Sequence, residues 1–547
     1  MKDIKEIFGR FGAGSFICRD GAEARVFEGA EAGVFFEIAE ELEKSGFSLK
    51  KERKFGGNDY KIFVSDETAI YLSYSPFEKV VRAIIKGGAV FPKCEGIDGE
   101  AKYPVLLTQV SPSYWYPDCG MGYVIRLKDG RFVIIDGGYD EFENVDRLFD
   151  IICAQNERGG KPIIAAWFVS HAHDDHCGIP RRFIEKYFDK CEIQNVFYNW
   201  EVLIGGSSRH AEGAFMALCE EKSAEMNVIT PRTPDGYDFG GVHFDVIFVG
   251  EDMLPKEIKG LNNSSLVLRM EAEGKVVLFP ADTEAPACGI FCKRFEKDIF
   301  KCDMFQVAHH GYWGGSEEFF SLVDPEILLW PCPNYWYKET FGWGANPILL
   351  NSPNVKAIYV SGREEKTFDL TKDFDYKIFD PKYKSGEIIY EENFPVGRRI
   401  SELGWACLDG GSTGYSTASV WLEDGKCHLQ AGPETYKVIE FFREHIIKNN
   451  PDYLLEMSGK VIGDYERIAL FFDYGKPTVF SDEYAVDLGF TPDEEFSLTL
   501  STDEKTQSAV LNVNGKERTL PYREACGLHL ILKSAEIEIN GIKITRK

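Results

Sequence analysis

The feature that most restricts this chain is an apolar run that ends in a cluster of histidines and acids. Pro162–Ser170 (PIIAAWFVS) shows no polar alternation, the mark of a strand covered on both faces. His171-Ala-His173-Asp-Asp175-His176 follows at once, so three of the ten histidines fall within six residues. Imidazoles at i and i+2 of an extended segment point the same way, so His171 and His173 can grip one metal ion. Asp175 and His176, on the following turn, are placed to grip a second. Nitrogen and carboxylate donors of this kind suit zinc, and also manganese or iron.

Two further segments repeat the pattern of chemistry at a strand end. His309-His310-Gly311 follows the largely apolar, strand-like segment Asp303–Ala308, and the glycine lets the backbone turn behind the imidazoles. Val276–Asp282 (VVLFPAD) is a hydrophobic strand ending in an acid. A carboxylate there can bridge two cations about 3.5–4 Å apart, the spacing of two-metal hydrolytic sites. Taken alone, Asp282 reads equally well as the cap of the next helix.

Charge and cysteine usage narrow the class. The 62 Lys and Arg against 88 Asp and Glu leave a net charge of −26, which repels phosphate backbones and anionic membranes at long range. A nucleic-acid partner is disfavoured, a local basic groove being the one route left open. The 14 cysteines contain no CxxC pair, which points to thiols in a reducing compartment rather than a disulfide framework. The first residues, MKDIKEIFGRFGAG, lack the apolar core of a signal peptide, and no stretch approaches the roughly 18 apolar residues of a membrane span. These readings place the chain in the cytoplasm without a membrane partner.

Periodicity divides the chain into three. Residues 1–100 read as a small α+β unit, with helical spacing over Ala32–Phe47 and strands at Tyr60–Val64, Ala69–Ser73 and Val80–Ile85. Residues 101–395 alternate apolar strands with helices such as Arg181–Phe188 and Glu212–Lys222, an α/β pattern of sheets with helices on their outer faces. Residues 396–547 contain one expected helix around Thr435–Ile447 and then short alternating strands, with hairpin turns expected at Asn514-Gly515 and Asn540-Gly541. That last part reads as a C-terminal β-sandwich-like accessory domain.

In this order and on strand ends, His171-Ala-His173-Asp-Asp175-His176, Asp282 and His309-His310-Gly311 resemble the metallo-β-lactamase superfamily. The segments Asp118-Cys-Gly-Met-Gly, Phe132–Gly138 and Asn262-Asn-Ser-Ser265 resemble the branch whose last motif is His-His-Gly, related to the hydrolase domain of the DNA-uptake protein ComEC. The resemblance covers roughly residues 103–380. It implies an αββα sandwich, His171 and His173 at one metal, Asp175 and His176 at another, and Asp282 bridging. It assigns His310 to the second metal and leaves His309 to orient substrate or protonate a leaving group. The third ligand of the first metal is open: His210 and His243 are not in the expected setting, and Asn262 takes up that region. The chain departs from the branch at Met121, Tyr123, Tyr312, Trp313 and Asn346, all positions that face substrate in that family.

The expected function is a binuclear metal-dependent hydrolase of a phosphoester or phosphodiester. Its cofactor would be two Zn2+ (or Mn2+ or Fe), and its nucleophile a metal-bridging hydroxide. Catalytic roles fall to Asp175, Asp282 and His309, with a small-molecule or oligomeric ester as substrate. Asp136, at a strand end, reads either as a group that orients a ligand histidine or as a plain turn residue. Tyr312, Trp313, Tyr335, Trp336, Tyr337 and Trp343 read either as a pocket wall or as packing. Two alternatives remain open: hydrolysis of a lactone, thioester or amide on the same fold, or a carbohydrate- or protein-binding protein that uses the C-terminal domain. Oligomeric state is not legible.

Overall fold

The strand Ile163–Phe168, buried from Ile164 onward, lies inside an eight-stranded sheet. It runs parallel to Phe132–Asp136 on one side and to Asn195–Phe197 on the other. Beyond these come Gly122–Arg126, Leu106–Gln109 and Lys366–Asp369 at one edge and Asn227–Ile229 at the other. A second sheet of seven strands runs in the order Gly236–Phe239, Val242–Phe248, Val267–Ala272, Lys275–Phe279, Met304–Gln306, Ile327–Trp330, Ala357–Val360. The computed structural model describes residues 4–9, 14–18, 20–65, 67–110, 120–140, 144–200, 211–253, 260–332, 340–362, 365–376, 383–397, 406–410, 419–432, 436–441, 451–473, 485–521 and 527–547.

The two sheets face each other across one core, in which Val133 and Phe168 of the first meet Leu268 and Val277 of the second. Trp167 and Phe132, on the opposite face of the first sheet, pack on Leu148 of the helix Asn144–Gln155 and Phe183 of the helix Asp174–Tyr187. Leu278 and Phe305 of the second sheet pack on Phe291 and Phe319 of the helices Ala285–Arg294 and Glu317–Val323. The layers are therefore helix, sheet, sheet, helix. Strands buried on both faces explain the unbroken apolar runs. Removing one such ring, Phe168→Ala, costs about 3–5 kcal/mol by transfer and cavity terms.

Residues 14–87 form a separate six-stranded antiparallel sheet with Ala32–Lys44 across one face, burying Phe35, Ile38 and Leu42 against Phe63, Leu72 and Val81. Three of its strands, Gly14–Ile17, Glu23–Glu28 and Ser48–Phe55, were not expected from sequence. The last is SLKKERKF, whose five consecutive charged residues Lys50–Lys54 are all half-buried or exposed, so it carries no apolar signal. This sheet docks on the central layers through Phe55, which meets Phe295 edge-on at 5.6 Å, and through polar groups. Asn58 Nδ2 and Ser75 Oγ both donate to Arg294 O, at 3.0 and 2.9 Å, and Arg294 Nε donates to Glu78 Oε2 at 2.9 Å.

Towards the C-terminus an eight-stranded and a five-stranded sheet enclose a core that includes Leu429, Leu455 and Ile537 of the larger and Ile468, Leu470 and Leu530 of the smaller. The strand Ile388–Glu392 pairs with Ala535–Arg546 and so belongs to the larger sheet. The helix expected around Thr435–Ile447 is not formed over its described part. Tyr436–Phe441 is a strand paired on both sides, with Ala406–Gly410 and Gly527–Lys533, and two ladders of backbone bonds outweigh local helix propensity. Residues 442–450 lie outside the described residues. The Asn540-Gly541 turn is also absent: the strand Ala535–Arg546 runs straight through, and Asn540 is the extra residue of a bulge between the pairs Ser458–Gly541 and Gly459–Ile539. The Asn514-Gly515 turn does join two paired strands, Ser508–Val513 and Lys516–Pro521.

Candidate metal centre

Four strand ends converge at one edge of the two sheets. Ser170 and His171 follow Ile163–Phe168, and the helix Asp174–Tyr187 starts directly after His173, so Asp175 and His176 occupy its first turn. Asp136 ends the neighbouring strand with a left-handed backbone, φ 53°. Its carboxylate accepts from Ser170 N at 2.6 Å, Ser170 Oγ at 2.7 Å and His176 Nδ1 at 2.8 Å. Asp282 follows Lys275–Phe279, and its N–H donates to Ser265 Oγ at 3.2 Å. His309 N donates to Ala281 O at 2.9 Å, which ties the His-His loop to the turn carrying Asp282.

The side chains form two groups that share Asp282: Asp175, His176, Asp282 and His310 in one, and His171, His173 and Asp282 in the other. In the first, His176 Nε2 lies 3.2 Å from both His310 Nε2 and Asp282 Oδ2, and His310 Nε2 lies 3.3 Å from Asp282 Oδ2 and from Asp175 Oδ2. In the second, His171 Nε2 lies 3.0 Å from His173 Nδ1 and 3.7 Å from Asp282 Oδ2. All of these residues are buried except His173, which is half-buried.

The donors fit a metal ion. His176 gives its Nδ1 proton to Asp136, and His310 gives its own to Pro331 O at 2.6 Å, so each turns an Nε2 lone pair into the cluster. Bare lone pairs facing each other repel, and a cation between them removes the conflict. The separations near 3.3 Å equal the ligand–ligand edge of about 3.3 Å that tetrahedral Zn–N bonds of about 2.0–2.1 Å require. Asp282 Oδ1 is buried with no hydrogen-bond partner, as an oxygen reserved for a metal would be.

The electrostatics ask for positive charge at the same point. Burial works against charge on His176, but Asp282, Asp175 and Asp136 outweigh it and push its pKa up to about 10. Burial would raise the Asp175 and Asp282 carboxyls, yet His176 and His310 hold both below the usual range. His171, desolvated and beside His176, is pushed well below 6.5 and stays a neutral donor.

Every core residue singled out from sequence is thus in one place. His309 sits at the rim, with Nε2 at 3.9 Å from Asp282 Oδ2 and 3.2 Å from Asn262 Nδ2. Asn262 reaches the cluster only through His309 and also donates to Glu284 Oε1 at 3.0 Å. Asp136 orients His176. His243 lies elsewhere, bonded to Asp238 and Asp245, and His210 is outside the described residues. Met121 and Tyr123 are buried in the core between the sheets, and Met121 N donates to Asp175 O at 3.0 Å, steadying the turn that carries the acid. Asn346 is buried and donates to Gly311 O at 2.8 Å, bracing the His-His loop. Tyr335, Trp336 and Tyr337 lie outside the described residues. Sequence reasoning missed Ser170, Pro331 and Trp330, whose indole donates to His310 O at 2.9 Å. Only Ser170 left a signal, as a small hydroxyl directly before the first histidine.

Residues 120–329 match the family model of the metallo-beta-lactamase superfamily, so a domain of that superfamily contains the whole cluster. No curated protein matches the chain. Solved structures similar to part of it include a sialidase, at 12% identity and TM-score 0.22 over 30% of this chain and 19% of that one. Another is the Emp46p carbohydrate recognition domain in its potassium-bound form, at 13% identity and TM-score 0.21 over 30% of this chain and 99% of that one. A third is the binding domain of botulinum neurotoxin DC in complex with rat synaptotagmin II, at 11% identity and TM-score 0.21 over 29% of this chain and 48% of that one. TM-scores this low carry no argument about the present chain.

Proposed function

We propose that the chain is a binuclear metal-dependent hydrolase of a phosphoester or phosphodiester. The observation that carries this reading is Asp282 Oδ2, which lies within 3.2–3.7 Å of His171, His176 and His310 and belongs to both donor groups. His171, His173 and Asp282 would hold one ion, and Asp175, His176, His310 and Asp282 the other. Bound metal ions bring the pKa of a coordinated water toward neutrality and polarise an ester oxygen.

The chain's own groups do the rest. Asp136 fixes the His176 tautomer, and Pro331 O fixes that of His310. His309, part-exposed at the rim, is the group assigned to orient the ester or to pass a proton to its leaving group. Burial, only partly offset by Asp282, lowers its pKa and favours the neutral imidazole, which supports the orienting role over proton donation. Asn262 Nδ2, at 3.2 Å from its Nε2, holds the ring in place, and Glu284 Oε1 lies 3.7 Å from its Nδ1.

Several finer readings rest on sequence. The His-His-Gly motif favours a place near the ComEC-like branch. The three-part division at 1–100, 101–395 and 396–547 is a proposal, as is the cytoplasmic location, which rests on the thiol usage. Among the described residues no helix is long and apolar enough to cross a membrane.

Metal content of the purified protein, with hydrolysis of bis-p-nitrophenyl phosphate by wild type and Asp282→Ala, tests the function. About two metals per chain and turnover that the variant loses are expected. Two metals with turnover of lactones, thioesters or amides alone would replace the substrate class. A protein that holds no metal after incubation with zinc or manganese would overturn the hydrolase and favour a binding role for the C-terminal sheets.

A further inference from the structure

Beside the candidate metal centre the backbone holds an exposed tryptophan in a costly conformation. Trp313 is 62% exposed, and its φ of 61° lies in the left-handed region that bulky residues avoid. His309 and His310, in the same loop, are left-handed as well. The loop is pinned rather than slack: Gly315 N donates to Thr283 O at 2.7 Å, and Asn346 grips Gly311 O. A Cβ on Gly314 would stand 2.3 Å from Ala308 O, so the turn can close only over glycine. Strain of this kind persists where the surroundings over-determine it, and it collects at functional sites. Core packing does not explain it, because the indole it displays buries little.

The indole is part of a continuous aromatic path to the cluster. Trp313 lies nearly parallel to Trp343, with centroids 6.0 Å apart and an interplanar angle of 23°. Tyr312 meets Trp343 edge-on at 4.7 Å and lies 6.0 Å from the His309 ring, which itself borders Asp282. A substrate with its reacting ester at the His/Asp cluster would have its next group over this surface.

We propose that Trp313, backed by Trp343, is the platform for a ring carried by the ester substrate, either the flat face of a nucleobase or the apolar face of a pyranose. This rests on the hydrolase reading above and deepens it. Aromatic faces stack on such rings with little demand on their substituents. The net charge of −26 weighs against a polyanionic strand as the ring's bearer and favours a single ring-bearing ester.

Calorimetric titration of zinc-loaded protein with inorganic phosphate, adenosine 5′-monophosphate and glucose 6-phosphate tests this, using wild type, Trp313→Ala and Trp313→Phe. At least one ring-bearing ligand is expected to bind wild type roughly tenfold more tightly than phosphate. Trp313→Ala should lose that preference while its phosphate affinity stays within about twofold, and Trp313→Phe should keep most of it. A loss confined to the adenosine arm identifies a nucleobase, and one confined to the glucose arm a sugar. Equal affinity of wild type for all three ligands, no ring-ligand binding, or a preference that survives Trp313→Ala would overturn the platform. Trp313-dependent ring binding by a protein that takes up neither metal nor phosphate would end the hydrolase reading and leave the platform standing.

Discussion

Asp136 Oδ2 accepts the Nδ1 proton of His176 across 2.8 Å, and this one bond decides which nitrogen of His176 faces the candidate metals. The bond is well supported, because Ser170 loads the same carboxylate with two more donors. Asp136→Asn keeps the shape but sets an amide donor against the Nδ1 proton. Zinc affinity at the group containing His176 should fall about 10–100-fold, the usual effect of losing a ligand's orienting partner. Competition with a chelating dye measures it. Unchanged affinity would mean that Asp136 only ends a strand.

Metal should also stabilise the fold. Without a cation, the buried Asp175 and Asp282 carboxylates have only the neighbouring imidazoles to offset their charge. Zinc at a hundred times its Kd should add about 2.7 kcal/mol. For a domain of this size that raises the melting temperature by about 4–6 °C, and a chelator should reverse it. Differential scanning fluorimetry in zinc and in chelator reads the effect directly, and superimposed curves would argue against a metal centre.

Gly311 sits under the candidate ligand His310, with φ 83° and with Trp330 Nε1 only 2.5 Å from where a Cβ would stand. In Gly311→Ala the methyl group must displace the indole that holds His310 O, and His310 should tilt away. We expect a stability loss of about 1–3 kcal/mol together with sub-stoichiometric metal. Full metal occupancy in the variant would show that the loop tolerates the displacement.

How far sequence leads depends on how local the cause is. The His171–His176 segment was legible because ligand spacing and the apolar strand before it are contiguous. Asp282 and His310 were legible as strand-end residues, but their meeting at 3.3 Å depends on parallel pairing of Lys275–Phe279 with Met304–Gln306. The strand at Tyr436–Phe441 escaped notice because partners distant in sequence create it. Asn540-Gly541 looked like a turn because its dipeptide often is one, while a ten-residue partner strand, Tyr453–Ile462, holds it extended. The docking of the N-terminal sheet on Arg294 left no sequence signal at all, since its contacts are single polar groups spaced more than 200 residues from their partner.

That docking gives the last prediction. Burial would raise the Glu78 carboxyl, but Arg294 and Arg82 outweigh it and hold its pKa at about 2, below the ordinary 4.5. A carboxylate with a depressed folded-state pKa stabilises the protein above pH 4.5, and the contribution is lost as pH falls from there toward 2. Lowering that carboxyl from 4.5 to about 2 corresponds to about 3 kcal/mol, an upper figure for a side chain that is 18% exposed. Glu78→Gln should therefore lower the urea midpoint of the N-terminal sheet clearly at pH 7 and much less near pH 2.5, where protonation of the unfolded chain has removed most of that contribution. An equal difference at both values would mean that Glu78 acts through shape or neutral hydrogen bonds, and that charge does not hold this sheet to the central layers.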